Sequence, residues 1–188
     1  MLLRIGSVLL GALFCAQVSA NTLDINLSED VAQFEFTHPI AASSGYGGSE
    51  VNFGFLYTTD DDVMGTLGFQ IVDTAGSGSP GLDVGVGVKA FSATFGTHEV
   101  LAAGIGGEVI YSPSAFPRAV LNIELHYAPD IVSFIDANRL FNYGVRVGYE
   151  VVSQAMVYVG YRHVQVEVGN NVDIDIDNSG HIGLQLLF

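Results

Sequence analysis

Residues Leu140–Val151, LFNYGVRVGYEV, decide the fold. Phe141, Tyr143, Val145, Val147, Tyr149 and Val151 share one face of an extended strand, and Asn142, Gly144, Arg146, Gly148 and Glu150 share the other. Successive side chains of a strand point to opposite sides, whereas a helix needs apolar residues three and four apart. No segment after Asn21 sustains the helical spacing. The two-residue period recurs in Leu121–Tyr127, in Leu82–Ala90 and in Val51–Tyr57, where Val51, Phe53, Phe55 and Tyr57 oppose Asn52, Gly54 and Leu56.

A soluble sandwich alternates too, so residue types must separate the two architectures. A sandwich turns a face of Lys, Glu and Thr toward water. Here the second face is largely glycine with scattered Arg, Glu, Asn and Gln. Small residues mixed with ions suit a cramped polar interior, and large aliphatics fringed by aromatics suit lipid. The expected fold is therefore all-β: a small antiparallel transmembrane β-barrel with a filled polar interior. Ten residues tilted by about 40° rise roughly 25 Å, the height of a lipid-facing band.

Composition agrees with this reading. The chain has 188 residues, 49% hydrophobic and 14% charged, with 23 glycines and a net charge of −14. It is too apolar for a disordered acidic chain and too acidic to replace counterions on nucleic acid. Beyond the N-terminus it has no run approaching the ~18 apolar residues of a membrane helix. Residues 1–20 read as a secretory leader: Arg4 supplies the basic start, Ile5–Ala16 the apolar stretch, and Val18-Ser19-Ala20 the cleavage pattern. Cleavage after Ala20 leaves 168 residues, removes Cys15 and Arg4, and takes the net charge to −15. An exported chain without disulfides must be held by burial and backbone pairing.

Counting back from the C-terminus gives strands at Gly180–Phe188, Ala155–Val168, Leu140–Val151, Ala119–Tyr127, Val100–Tyr111, Leu82–Thr94, Met64–Val72, Val51–Tyr57 and Val31–Thr37. Nine is odd, and bacterial single-chain barrels have even counts. Adding Leu23–Leu27 makes ten, and omitting the N-terminal segment makes eight; the alternation of Leu23, Ile25 and Leu27 with Asp24 and Asn26 favours ten. The short links Val152–Gln154 and Ser112–Pro117 read as periplasmic, and the longer Ala128–Arg139 and Gly169–Ser179 as outer. Asp73–Gly81 is longer than its side favours. In Ala155–Val168, His163, Gln165 and Glu167 continue the apolar face of Val157, Val159 and Tyr161. A bulge near Arg162, or an extension beyond the bilayer, would account for this.

Ile182, Leu184, Leu186 and terminal Phe188 share one face. That ending resembles the assembly signal read by the outer-membrane assembly machinery. From Val51 onward, about three quarters of the chain, the sequence resembles the YfaZ family of small gammaproteobacterial outer-membrane proteins. The resemblance rests on Asp60-Asp61-Asp62, Gly104-Ile105-Gly106-Gly107, Tyr127-Ala128-Pro129-Asp130, Gly160-Tyr161-Arg162 and Phe188, in that order. It implies a small outer-membrane barrel and supplies no catalytic residue, cofactor or ligand.

The inward faces carry Lys89, Glu108, Glu124, Arg146, Glu150 and Arg162. Such a set could line an ion path, but a barrel of eight to ten strands is narrow enough that paired charges filling the lumen are expected instead. His126 lies two residues from Glu124 on one face, an acid–base geometry in principle. Arg162-His163 faintly resembles a lipid A deacylase strand, yet Gln165 stands where that enzyme needs its serine. Asp173, Asp175 and Asp177 have the spacing of a calcium loop. Asn178 replaces its turn glycine and no closing glutamate follows. The expectation is a barrel of structural or envelope role, without catalysis, cofactor or metal, in contact with outer-membrane lipid and lipopolysaccharide. The first alternative is a narrow porin for ions or small solutes, and the second a lipid-modifying enzyme. The oligomeric state stays open.

Overall fold

The computed structural model describes residues 21–42, 48–76, 80–169 and 172–188; the leader read over residues 1–20 lies outside them. The strands are β1 (Thr22–Leu27), β2 (Val31–Ala42), β3 (Gly48–Thr58), β4 (Val63–Thr74), β5 (Leu82–Phe95), β6 (His98–Tyr111), β7 (Ala119–Ala128), β8 (Ser133–Ile135), β9 (Ala137–Val152), β10 (Ala155–Val168) and β11 (Val172–Leu187). Ten of them form a closed antiparallel barrel, with β1 between β2 and β11 and the ring completed by β5 against β6. The three-residue β8 stands apart, pairing only with the upper end of β6. Closure leaves no unpaired edge, which a bilayer without water to solvate it requires.

The choice between eight and ten strands resolves to ten because Thr22–Leu27 is paired on both sides. Leu23 faces Phe36 of β2 and Leu186 of β11. Without β1, the strands β2 and β11 would each present a bare row of N–H and C=O groups to lipid.

The outward faces follow the alternation. Ile105, Val86, Ile182 and Val159 are 59–67% exposed, and Phe53, Phe55, Tyr149 and Tyr161 join them. These side chains form the lipid belt. At the end away from the termini the strands run on beyond it. There β10 presents His163 and Gln165 outward while Val164 and Val166 are fully buried inward. The preference of the two faces inverts, as it must where the barrel leaves lipid for water.

The extra residue expected near Arg162 is found two positions along, and on the partner strand. Val164 pairs with Asp177 and Gln165 with Asp175, so Ile176 of β11 is bypassed. Ile176 consequently turns inward beside Asp177, at 6% and 4% exposure, while β10 keeps its alternation as far as Val166. Residues 172–179, read from sequence as an outer connection, are strand, because Ile174 and Asp173 pair with Val166 and Glu167. Loop length therefore does not mark the outer side of this barrel. The strands run on at the end away from Asn21 and Phe188, and the end carrying those termini is the one read from sequence as periplasmic.

Toward the end away from the termini the interior becomes mostly apolar. Leu56, Met64, Phe91, Phe95, Val100, Leu140, Val164 and Val166 converge there at 0–4% exposure. This plug adds a layer that the polar interior read from sequence lacked. Its residues sit on inward positions within otherwise polar strand faces, so each looks incidental until ten strands bring them to one height.

Candidate functional site: the lumen

Below the plug, each of the ten barrel strands contributes polar side chains to the lumen. Lys89 of β5 lies 2.6 Å from Glu124 of β7 and 3.8 Å from Glu35 of β2. Arg146 of β9 pairs with Asp24 of β1 at 3.0 Å, and its guanidinium carbon stands 5.4 Å from the centre of the Tyr158 ring. The Tyr158 hydroxyl donates to the same Asp24. Arg162 donates to Asp177 at 2.5 Å and to Asn26 at 3.1 Å. Each basic group inside the wall is thus matched by at least one carboxylate, the arrangement that makes buried charge tolerable.

Room for these side chains comes from the glycines opposite them. Gly183 faces Tyr158 across the β10–β11 ladder, and a Cβ there would stand 2.1 Å from the ring. Gly68 faces Asn52, and a Cβ there would meet its amide oxygen at 2.2 Å. Gly106 faces His126, and a Cβ there would lie 2.0 Å from the Leu125 carbonyl. A narrow lumen thus holds several of its large polar groups by setting them opposite a neighbour that has no side chain. What space remains is a cavity of about 60 Å³ beside Arg162 and His181, and one of about 190 Å³ nearer the periplasmic end, around Glu50, Gln70 and Glu108.

Of the interior residues named from sequence, Lys89, Glu124, Arg146 and Arg162 lie in this ion-pair layer. Glu108 lies below it, accepting from Gln70 at 2.6 Å and from Asn122 at 2.8 Å. Glu150 is not brought to them: it is exposed beside the periplasmic turn, where its backbone N–H donates to Arg118. Sequence reading passed over Asp24, Glu35, Tyr158 and Asp177, which supply most of the remaining partners. Asp24 and Glu35 were recoverable, since both fall on the polar face of their own alternating strand. Asp177 keeps the inward parity of Gly183 and His181 on β11, and reading residues 169–179 as a connection hid it.

Ile182, Leu184, Leu186 and Phe188 face the lipid side, with Phe188 62% exposed and 6.4 Å from the Phe36 ring. The Phe188 backbone is tied to Asn21 by hydrogen bonds of 2.7 and 3.0 Å.

The lumen offers no access for chemistry on lipid. His126 Nδ1 lies 3.1 Å from Glu124, out of line for a hydrogen bond, and the pair sits inside the wall beneath Phe91. Arg162 and His163 point to opposite sides of β10, His163 outward against Tyr143 and 3.7 Å from Asp175. Among the described residues no group of three or more His, Cys, Asp or Glu is placed to hold a metal ion.

Solved barrels of similar shape include the KdgM porin, at 9% identity over 90% of this chain and 99% of that one, with a TM-score of 0.46. Another is the outer membrane channel DcaP of Acinetobacter baumannii, at 10% identity over 92% of this chain and 60% of that one, with a TM-score of 0.44. No curated protein matches the sequence. The family model described as YfaZ precursor matches residues 1–188. With its closed ten-strand wall, lipid-facing belt and full-length match, the chain belongs to the YfaZ family of outer-membrane β-barrel proteins.

Proposed function

We propose that the protein is a sealed barrel with a structural role in the outer membrane. The observation that carries this reading is the apolar plug. Phe91, Leu140, Val164 and Val166 are 0% exposed and Leu56 1%, so water reaches them from neither side. An ion crossing that layer would have to shed its hydration against hydrocarbon, at a cost of several kcal/mol. The expected result in a planar bilayer is silence from the purified protein, and stepwise single-channel currents would overturn the reading.

The second reading is a narrow pore for ions or small solutes, the class to which the named barrels of similar shape belong. The observation favouring it is the polar lining, which runs from the periplasmic end to the plug through Glu50, Glu108, Lys89, Glu124, Arg146 and Arg162. In either case the exported chain is cleaved after Ala20, and its C-terminal face of Ile182, Leu184, Leu186 and Phe188 engages the assembly machinery before settling against lipid and lipopolysaccharide. An intact mass beginning at Asn21 checks the first of these. Reduced outer-membrane yield of Phe188→Ala, with no loss of export, checks the second.

A further inference from the structure

We propose that the fold-back between β7 and β9 is a membrane anchor, with Leu101, Ile131 and Phe134 seated in the interfacial edge of the leaflet at the end away from the termini. Where strands leave the lipid belt at that end, their outward face turns polar. β10 changes from Tyr161 to His163 and Gln165, and β5 from Val88 and Ala90 to Ser92 and Thr94. β6 and the segment covering it depart from this pattern. Leu101 continues the outward face of Ile105 and Ala103, and β8 sets Phe134 directly opposite Leu101. Opposed residues of antiparallel strands share a face, so Phe134, 52% exposed, carries the lipid belt onto β8. Beyond that pair the wall turns polar at Glu99 and Asp136. The apolar surface is thus continuous with the belt and ends in a single step.

Ile131 adds to this surface from the tight turn Asp130–Val132 that precedes β8. It is 84% exposed, while its neighbour Val132 packs against the apolar plug. The turn is held in place, because the Val132 N–H and the Ser133 hydroxyl both donate to the Pro129 carbonyl, at 3.0 and 3.1 Å. Large aliphatic and aromatic side chains held outward and joined to a lipid-facing belt fit the acyl edge of a bilayer. Depth follows from the pairing of β8, which is bonded to β6 alone. Its other edge needs headgroups or water, which hydrocarbon does not supply, so the anchor is interfacial. It holds the connection to the wall above Ala128, where β7 stops while β6 and β9 run on.

The chain contains no tryptophan, so a single introduced one reports its own depth. Phe134→Trp and Ile131→Trp, each in the full chain, are folded into phosphatidylcholine vesicles whose acyl chains carry bromine either near the headgroup or near the chain end. Val159→Trp in the belt and Val172→Trp at the start of β11 calibrate the limits, the first quenched by lipid bromine and the second only by acrylamide in the water. Phe134→Trp and Ile131→Trp should emit to the blue of Val172→Trp. Bromine near the headgroup should quench them more strongly than bromine near the chain end. Phe134→Ser placed in the Ile131→Trp chain should shift that emission back toward the red, because the anchor loses its aromatic member. Acrylamide quenching equal to that of Val172→Trp, with none by lipid bromine, would overturn the proposal. So would protection from both quenchers, which would show a second copy or another protein covering the patch. If Phe134→Trp does not fold, Ile131→Trp decides by the same outcomes. Conductance plays no part in the readout, so failure here leaves the question of the sealed lumen untouched.

Discussion

Single residues in this barrel are governed by a pairing rule between charge and charge, and between bulk and its absence. Lys89 is 4% exposed and answers both Glu124 and Glu35. Lys89→Met leaves two carboxylates unmatched inside the wall, and should lower unfolding free energy by about 3–5 kcal/mol, read by urea titration in detergent micelles. Adding Glu124→Gln should recover part of that loss, because only Glu35 then lacks its partner. Gly183→Val tests the rule for bulk. The new side chain would begin 2.1 Å from the Tyr158 ring, displacing the hydroxyl that donates to Asp24. The expected cost is about 1–3 kcal/mol, with the barrel still assembled. Much of the polar lumen was legible in sequence as the second face of alternating strands. Its pairings were not, since Arg146 meets Asp24 across a separation of 122 residues that only barrel closure brings together.

Elements show where the regular pattern is interrupted, and why. β7 ends at Ala128, short of the top of β6, and the connection to β9 folds back so that β8 covers the exposed rim at Val100–Ala102. The fold-back requires Ile135 to adopt φ of 69°, a left-handed conformation in which a β-branched side chain is crowded. Ile135 is 67% exposed, so little packing depends on it. Ile135→Gly should therefore raise stability by about 1 kcal/mol, measured by the same urea titration, and a loss of stability would show that the side chain does more than occupy a turn. The sequence around Ile135 carries no glycine to mark this turn, which is why it read as plain loop. The bulge at Ile176 is a second interruption of this kind. A strand tolerates one bypassed residue at many positions, and local pattern alone did not select among them.

At the scale of the whole molecule, the apolar layer at the outer end separates a polar lumen from the outside. Phe91→Ala/Leu140→Ala removes the two largest fully buried side chains on that layer's β5 and β9 walls. If the layer is the seal, the double variant should pass current in a planar bilayer where the parent is silent. The folded barrel should also migrate faster on an unheated gel than after boiling, in parent and variant alike. Silence in a variant that keeps this mobility shift would place the barrier in the ion-pair layer below. The sequence by itself determined that the chain is a transmembrane barrel, because lipid outside and a cramped interior impose opposite residue types on alternate positions, and that demand is written locally along each strand. Tertiary structure alone decided the strand count, the partners of the lumen charges and the existence of the plug. These depend on which residues closure brings to the same height, and no local period encodes the stagger of one strand against a distant other.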